Sequence, residues 1–263
     1  MTSTVLTDKI VLVTGGNRGL GRAIVEAAID AGAGVVLTYR SHAEEAEEVV
    51  ASAAARGGTA VALQLDTTDT AAFSDFVLDL RKALRASWDR SSLDVLVNNA
   101  GFAGPTVLGS TEESVIDQLF AVHFKGVYLL TQGIVAPVAG PSLLADGGRI
   151  VNLSTGLARF VTAPNAVYAS MKGAVEVLTR YWAQELGSRG ITVNTIAPGP
   201  VPTDFAGGYI RASDDVQTTM ASMTALGRVA SPDDVASAVM AVAGPAGEWV
   251  TGQRIEASGG FRL

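Results

Sequence analysis

Seven short apolar, β-rich runs alternate with helical patterns from one end of the chain to the other, and few architectures accommodate that order. Parallel strands cannot be joined by a tight hairpin; a crossover, usually a helix, must bring the chain back before the next strand can pair. The runs read as strands at Ile10–Thr14, Val35–Tyr39, Ala60–Leu65, Val95–Asn98, Ile150–Ser154, Thr192–Ala197 and Arg254–Glu256. Several are continuously hydrophobic, as strands covered on both faces are. Helical patterns fall at Leu20–Ala31, Ala43–Ala55, Thr70–Leu84, Glu112–Val135, Ala166–Gly187 and Pro232–Val242, with Gly32, Gly57 and Gly187 as stops. The expected fold class is therefore α/β: a doubly wound, seven-stranded parallel sheet with helices on both faces.

At 263 residues, 48% hydrophobic and 17% charged, the chain suffices for a single domain spanning 1–263. No repeat, low-complexity linker or compositional break divides it. The segment from Pro198 to about Leu226, rich in Gly, Pro, Thr and Asp, reads as one long irregular loop of the kind that covers a ligand. No long uncharged apolar run appears, and Met1-Thr2-Ser3-Thr4 leads into Asp8-Lys9 without a signal-peptide pattern. A soluble, cytoplasmic protein without a membrane partner is expected. The lack of cysteine excludes disulfides and thiolate chemistry, and two distant histidines, His42 and His123, make no metal site. A net charge of −7 opposes nucleic acid as a partner, yet leaves room for a local basic pocket around one phosphate.

Two motifs carry chemistry. Thr14-Gly15-Gly16-Asn17-Arg18-Gly19-Leu20-Gly21 follows the first strand and opens the first helix. Glycines there let the backbone turn sharply and approach a pyrophosphate, which sits at the positive end of the helix. A turn serving only helix–strand packing is the alternative, but strand before and helix after is the context a dinucleotide loop requires. Further on, Tyr168 and Lys172 stand four residues apart in a helical stretch, so they share one face. A nearby ammonium favours the phenolate, which makes a tyrosine a usable acid or base.

With Asn98-Asn99-Ala100-Gly101 after the fourth strand, Pro198-Gly199 followed by Thr203, and the closing stretch from Gly252 to Gly260, these motifs run in one order across residues 9–260. In that order and spacing the chain resembles the short, single-domain branch of the short-chain dehydrogenase/reductase family. The resemblance implies a Rossmann-type fold, a small-molecule substrate, a homotetramer, and an oxidoreductase that interconverts a ketone or aldehyde with its alcohol. It assigns proton transfer to Tyr168 and the nicotinamide ribose to Lys172. A serine hydroxyl that polarises the carbonyl usually completes the set. Thirteen residues before Tyr168 stands Thr155, with Ser154 beside it. Adjacent residues at a strand end point in opposite directions, so one hydroxyl faces the site; the family register favours Thr155, which has the donor and acceptor inventory of serine. The fourth family position, usually Asn, maps onto His123, which alternatively reads as a satisfied core histidine.

For the cofactor, the resemblance implies contacts from Gly15, Asn17, Arg18, Gly19, Leu20 and Gly21, from Tyr39, Arg40 and Ser41, and from Asp66 and Thr67 near adenine. Asn99, Ala100 and Gly101 follow, then Tyr168 and Lys172, and Pro198, Gly199, Val201 and Thr203 along the nicotinamide. Asp66 also reads as a helix cap. Charge selects NADP(H): an acid ending the second strand would repel a 2′-phosphate, whereas that strand ends Thr38-Tyr39-Arg40-Ser41, with Arg18 on the same side. Either arginine alone also reads as a solvated surface charge. Phe205, Tyr209 and Met220 give the covering loop a partly apolar lining. Candidate substrates are a 3-oxoacyl thioester, a steroid-like or polyketide ketone, and a sugar or polyol. Two rivals remain: a nucleotide-sugar epimerase or dehydratase with bound NADP, and a non-catalytic dinucleotide sensor, which would be expected to lose Tyr168 or Lys172.

Overall fold

The structure is a computed structural model describing residues 5–138 and 140–263; Met1–Thr4, read above for a leader, lie outside it. Strands β1 (Ile10–Val13), β2 (Gly34–Tyr39), β3 (Ala60–Gln64), β4 (Leu93–Asn98), β5 (Leu144–Leu153), β6 (Thr192–Pro198) and β7 (Arg254–Ala257) form one sheet. Its order is β3-β2-β1-β4-β5-β6-β7, with every pairing parallel. The order reverses between β1 and β4, which opens a crevice at the carboxyl ends of those strands.

Side chains alternate across the pleat and feed two cores. Val11, Val13, Val35, Leu37, Val97 and Val151 face helices α1 (Gly19–Asp30), α2 (Ala43–Ala55) and α8 (Pro232–Ala243). Ile10, Leu12, Val36, Leu96 and Ile150 face α3 (Phe73–Trp88), α5 (Val127–Val135) and α6 (Ala166–Leu186). Helix α3 shows why such segments are helical: Phe73, Phe76, Val77, Leu80 and Leu84 recur at helical spacing and are all buried. Helix α8 starts at a capping box, Ser231 with Asp234, and has Pro232 in its first turn.

Three segments differ from the sequence reading. Strand β5 begins at Leu144 rather than Ile150, because its register against β4 shifts between Leu93 and Val95, with Asp146-Gly147-Gly148 falling in the irregular stretch. The helix expected at Glu112–Val135 is α4 (Glu113–Phe120) and α5 joined by a π-helical turn at Ala121–Gly126. Such turns insert a residue into a helix and concentrate at functional sites. The loop from Pro198 to Leu226 contains a 3₁₀ turn at Phe205–Gly208 and helix α7 (Asp214–Ser222). Ser213 caps α7 through the Val216 N–H, and the helix buries no residue, so no apolar stripe marked it in the sequence. Among the described residues no helix is long and apolar enough to cross a membrane.

Candidate active site

The glycine loop is fastened from both sides. The Gly16 N–H donates to the Thr38 carbonyl at 2.8 Å and the Gly15 N–H to Thr38 Oγ1 at 3.1 Å, tying the loop to β2. From β4, Asn99 Nδ2 donates to the Thr14 and Gly15 carbonyls at 2.8 and 3.1 Å, while Thr14 Oγ1 accepts the Asn99 and Ala100 N–H groups. Gly15 and Gly19 have φ of +64° and +56°, the left-handed region that favours glycine. Gly21 is dictated by space: a Cβ there would lie 2.0 Å from the Gly15 carbonyl oxygen.

Helix α1 therefore begins hard against this loop. Arg18 holds its N-cap position without a side-chain cap bond, and no acid stands in the first turn. Its first N–H groups and positive dipole end are thus offered to an anion. Among the described residues neither Arg18 nor Arg40 is ion-paired, and both are exposed. This arrangement fits a dinucleotide with an additional phosphate at the end of β2. Thr203 lies beside the loop, its Cβ 3.9 Å from where a Cβ on Gly19 would sit. Val201 and Thr203 are buried, and Gly199 packs so closely on Ser258 that a Cβ would meet it at 2.8 Å.

Other expected cofactor residues are occupied locally. Asn17 Nδ2 donates to Glu45 Oε2 at 2.7 Å, fastening the loop to α2. Leu20 and Tyr39 pack on the core, and Ser41 bonds His42 on the surface. Asp66 does not cap the turn after β3: its Oδ1 accepts Thr68 N–H and Oγ1, and Asp69 is the cap. The Thr67 carbonyl meets Gly126, where a Cβ would lie 2.2 Å away.

At the end of β5 the two hydroxyls diverge. Ser154 Oγ turns away and donates to Glu176 Oε1 at 2.6 Å. Thr155 Oγ1 accepts the Leu157 N–H at 3.3 Å, and the hydroxyl acts on the Tyr168 phenol in the direction that lowers its pKa. Helix α6 brings Tyr168 and Lys172 to the same place, both buried. The Tyr168 ring lies between His123, at 5.1 Å and edge-on, and Phe205, at 5.7 Å. Lys172 Nζ donates to the Leu153 carbonyl at 2.6 Å and sits 6.0 Å from the Tyr168 ring centroid.

Burial governs the titration of all three groups. It pushes the Tyr168 phenol well above its ordinary value of 10, the Thr155 hydroxyl opposing only in part. It draws Lys172 from 10.5 down to about 8. His123, fully buried on the π turn, is drawn down to about 3 by burial and then by the Lys172 charge, so it is neutral. In this cofactor-free structure burial thus keeps the Tyr168 phenol protonated. His123 Nε2 lies 2.6 Å from the Phe102 carbonyl, which only accepts, so Nε2 carries the proton. Its Nδ1 is left as a buried acceptor without a partner among the described residues. Gly101 is required by His123, since a Cβ would meet the imidazole at 2.5 Å.

The structure thus gathers Thr155, Tyr168, Lys172 and His123, and excludes Ser154. Sequence reasoning missed Glu176 and Arg254 behind the two hydroxyls. The available signal was Glu176 itself, four residues beyond Lys172 on the same helix face.

The model of a family described as enoyl-(acyl carrier protein) reductase matches residues 15–262. An uncharacterized oxidoreductase of Methylorubrum extorquens is 35% identical over 98% of this chain and 99% of its own length. The hydroxynaphthalene reductase-like protein Arp2 of Metarhizium robertsii is 36% identical over 97% of this chain and 95% of its own. Among solved structures, that of the angucycline C-6 ketoreductase LanV with bound NADP superposes with a TM-score of 0.91. It shares 34% identity and covers 99% of this chain and 98% of LanV. The glycine loop, the Rossmann-type sheet and these likenesses agree: the chain belongs to the short-chain dehydrogenase/reductase family. It is an oxidoreductase of that family.

Proposed function

We propose that this NADP(H)-dependent oxidoreductase reduces a ketone carried on a fused-ring, polyketide-like framework to its alcohol. The observation that carries the reading is the buried Tyr168 phenol, kept protonated by burial and sharing its helix face with the buried Lys172. A group in that state is a proton donor, which carbonyl reduction requires. When bound, the dinucleotide supplies hydride to the carbonyl carbon. Tyr168 gives its proton to the carbonyl oxygen, and the Thr155 hydroxyl holds that oxygen in place. Lys172 binds the nicotinamide ribose and stabilises the phenolate that proton transfer leaves. His123 stands where relatives carry Asn and offers a neutral Nδ1 acceptor beside Lys172.

In the same reading the loop peptides of Gly15–Gly21, with Asn99, Ala100 and Gly101, enclose the pyrophosphate side, Arg18 and Arg40 take the 2′-phosphate, and Asp66 and Thr67 border adenine. Pro198, Gly199, Val201 and Thr203 border the nicotinamide, and residues 198–226 cover the substrate. Phe205, whose ring lies 5.7 Å from that of Tyr168, and the exposed Val107, Leu108, Val161 and Tyr209 support an apolar mouth. Thr106 pairs with the 162–165 segment through the Pro164 carbonyl, so the two loops form one rim. An apolar rim suits a flat, ring-bearing ketone better than a sugar, and LanV and Arp2 are named for fused-ring chemistry.

Ile116, Phe120 and Tyr128 along α4–α5, with Val177 and Tyr181 on α6, leave a large exposed apolar face. That face supports a homotetramer, to be checked by light scattering, with the cytoplasm as its setting. NADPH consumption against a panel containing a naphthol-type ketone, a 3-oxoacyl thioester and a nucleotide sugar tests the function. Turnover of the first is expected. An epimerase would show product without net oxidation, and a sensor would show neither; either result would remove the proposal.

A further inference from the structure

Behind the two hydroxyls at the end of β5 lies a continuous set of charged groups. Arg254, the first residue of β7, directs its guanidinium at three elements. Its Nε donates to Glu176 Oε1 on α6 at 2.7 Å, its Nη1 to Glu256 Oε2 on its own strand at 2.9 Å, and its Nη2 to the Thr155 carbonyl at 3.2 Å. Glu176 Oε1 also accepts the Ser154 hydroxyl at 2.6 Å. Ser154 and Thr155 are thus held from behind, one by its side chain and one by its carbonyl.

The outer half of the set keeps Arg254 in place. Glu256 receives Arg159 Nε and Nη2, both at 2.7 Å, and the Ser258 hydroxyl at 2.7 Å. Arg159 further donates to the Phe261 and Arg262 carbonyls at 2.7 and 3.0 Å. Arg254 and Glu176 are mostly shielded, with side-chain exposures of 22% and 13%, so solvent screens their pairing less than it does a surface pair. A planar guanidinium fixes the directions of its donors, so three acceptors bound at once define its position.

We infer that Arg254 is a positioning residue for the carbonyl-polarising hydroxyl. Through Glu176 it sets the end of β5 against the helix that carries Tyr168 and Lys172, and through the Thr155 carbonyl it fixes the peptide from which the hydroxyl projects. Threonine is β-branched and restricted at χ1, and the Leu157 N–H holds its Oγ1 at 3.3 Å, so fixing its backbone constrains the hydroxyl. Displacements of about 1 Å at such a group can lower a rate by about a hundredfold. The inference rests on the reading that Thr155 polarises the carbonyl.

The test is a double-mutant cycle on the full-length enzyme. Arg254→Met is expected to lower kcat by roughly ten- to a hundredfold while the NADPH dissociation constant, read by fluorescence titration, changes less than about twofold. In a Thr155→Ala background, followed by single turnover, Arg254→Met is expected to add little. A purely structural role would produce the same loss in both backgrounds and would overturn the inference, as would a wild-type kcat in Arg254→Met. If Arg254→Met does not fold, Glu176→Gln takes its place in the cycle, with the same non-additivity expected and additivity again overturning it. The parent reading fails separately: there Thr155→Ala alone would keep wild-type kcat.

Discussion

Lys172→Met should leave the cofactor-free protein no less stable at neutral pH, although it removes a central functional group. Lys172 is 4% exposed, and among the described residues its one hydrogen bond goes to the Leu153 carbonyl. Holding an amine of ordinary pKa 10.5 at about 8 costs the folded state roughly 3 kcal/mol, at ~1.36 kcal/mol per tenfold change in proton affinity. Methionine fills a similar volume without a charge, but strands the Leu153 carbonyl, at about 1–3 kcal/mol. The two nearly offset, so a net gain for the variant of about 0–2 kcal/mol is expected at pH 7. The pH dependence isolates the first contribution. Because the folded pKa lies below the unfolded one, the unfolded chain binds the proton more tightly between pH 8 and 10.5. The cost is full below about 8 and gone above about 10.5, so wild type gains on the variant by roughly 3 kcal/mol across that window. Urea denaturation of both proteins at pH 7, 8.5 and 10, without cofactor, measures this directly. A difference that is flat with pH, or a variant several kcal/mol less stable at pH 7, refutes the account of Lys172 as a desolvated ammonium. With NADPH the ranking should reverse, since only wild type has an ammonium for the ribose.

NADPH should bind at least roughly tenfold more tightly than NADH, about 1.4 kcal/mol, and Arg40→Asp should reverse that order in a fluorescence titration; equal affinities in the wild-type chain would count against the 2′-phosphate reading. Tyr168→Phe keeps the ring contacts to His123 and Phe205 and should fold normally, but turn over at least ~10²-fold more slowly. Thr155→Ala should fall by a similar factor and Ser154→Ala by much less, with the opposite ranking disproving the assignment of the hydroxyl. Glu256 is held down from 4.5 to about 2, chiefly by Arg159, so its stabilising share is present above about pH 4.5 and is lost as the pH falls through about 2. Glu256→Gln should therefore lower Tm by about 2–4 °C at pH 7, and the gap should close toward pH 2; a gap independent of pH would show that the carboxylate charge is not what matters.

The sheet was legible because several of its strands, β1 and β2 among them, are buried on both faces and read as apolar runs. What escaped had no such mark. Helix α7 buries nothing, so its only signals were Ser213 and the acids after it, which fit a loop equally well. The π turn at Ala121–Gly126 leaves the hydrophobic pattern of its flanks nearly intact, so it is invisible to periodicity. It becomes evident only once His123 is found fully buried with one nitrogen unpartnered, a placement that no local rule could have supplied.

The site divides along the same physical line. Gly15, Gly19 and Gly21 were readable because backbone torsion and a 2.0 Å approach leave no other residue type. The choice between Ser154 and Thr155 was readable only through the family register, because Ser154's partner Glu176 lies far away in sequence. Ser154 donates to Glu176, and that carboxylate is also bound by Arg254 on β7, two strands away. Ser154 is thus tied, through one carboxylate, to a residue of β7. A change confined to the last strand should be able to alter the chemistry of a strand two positions away.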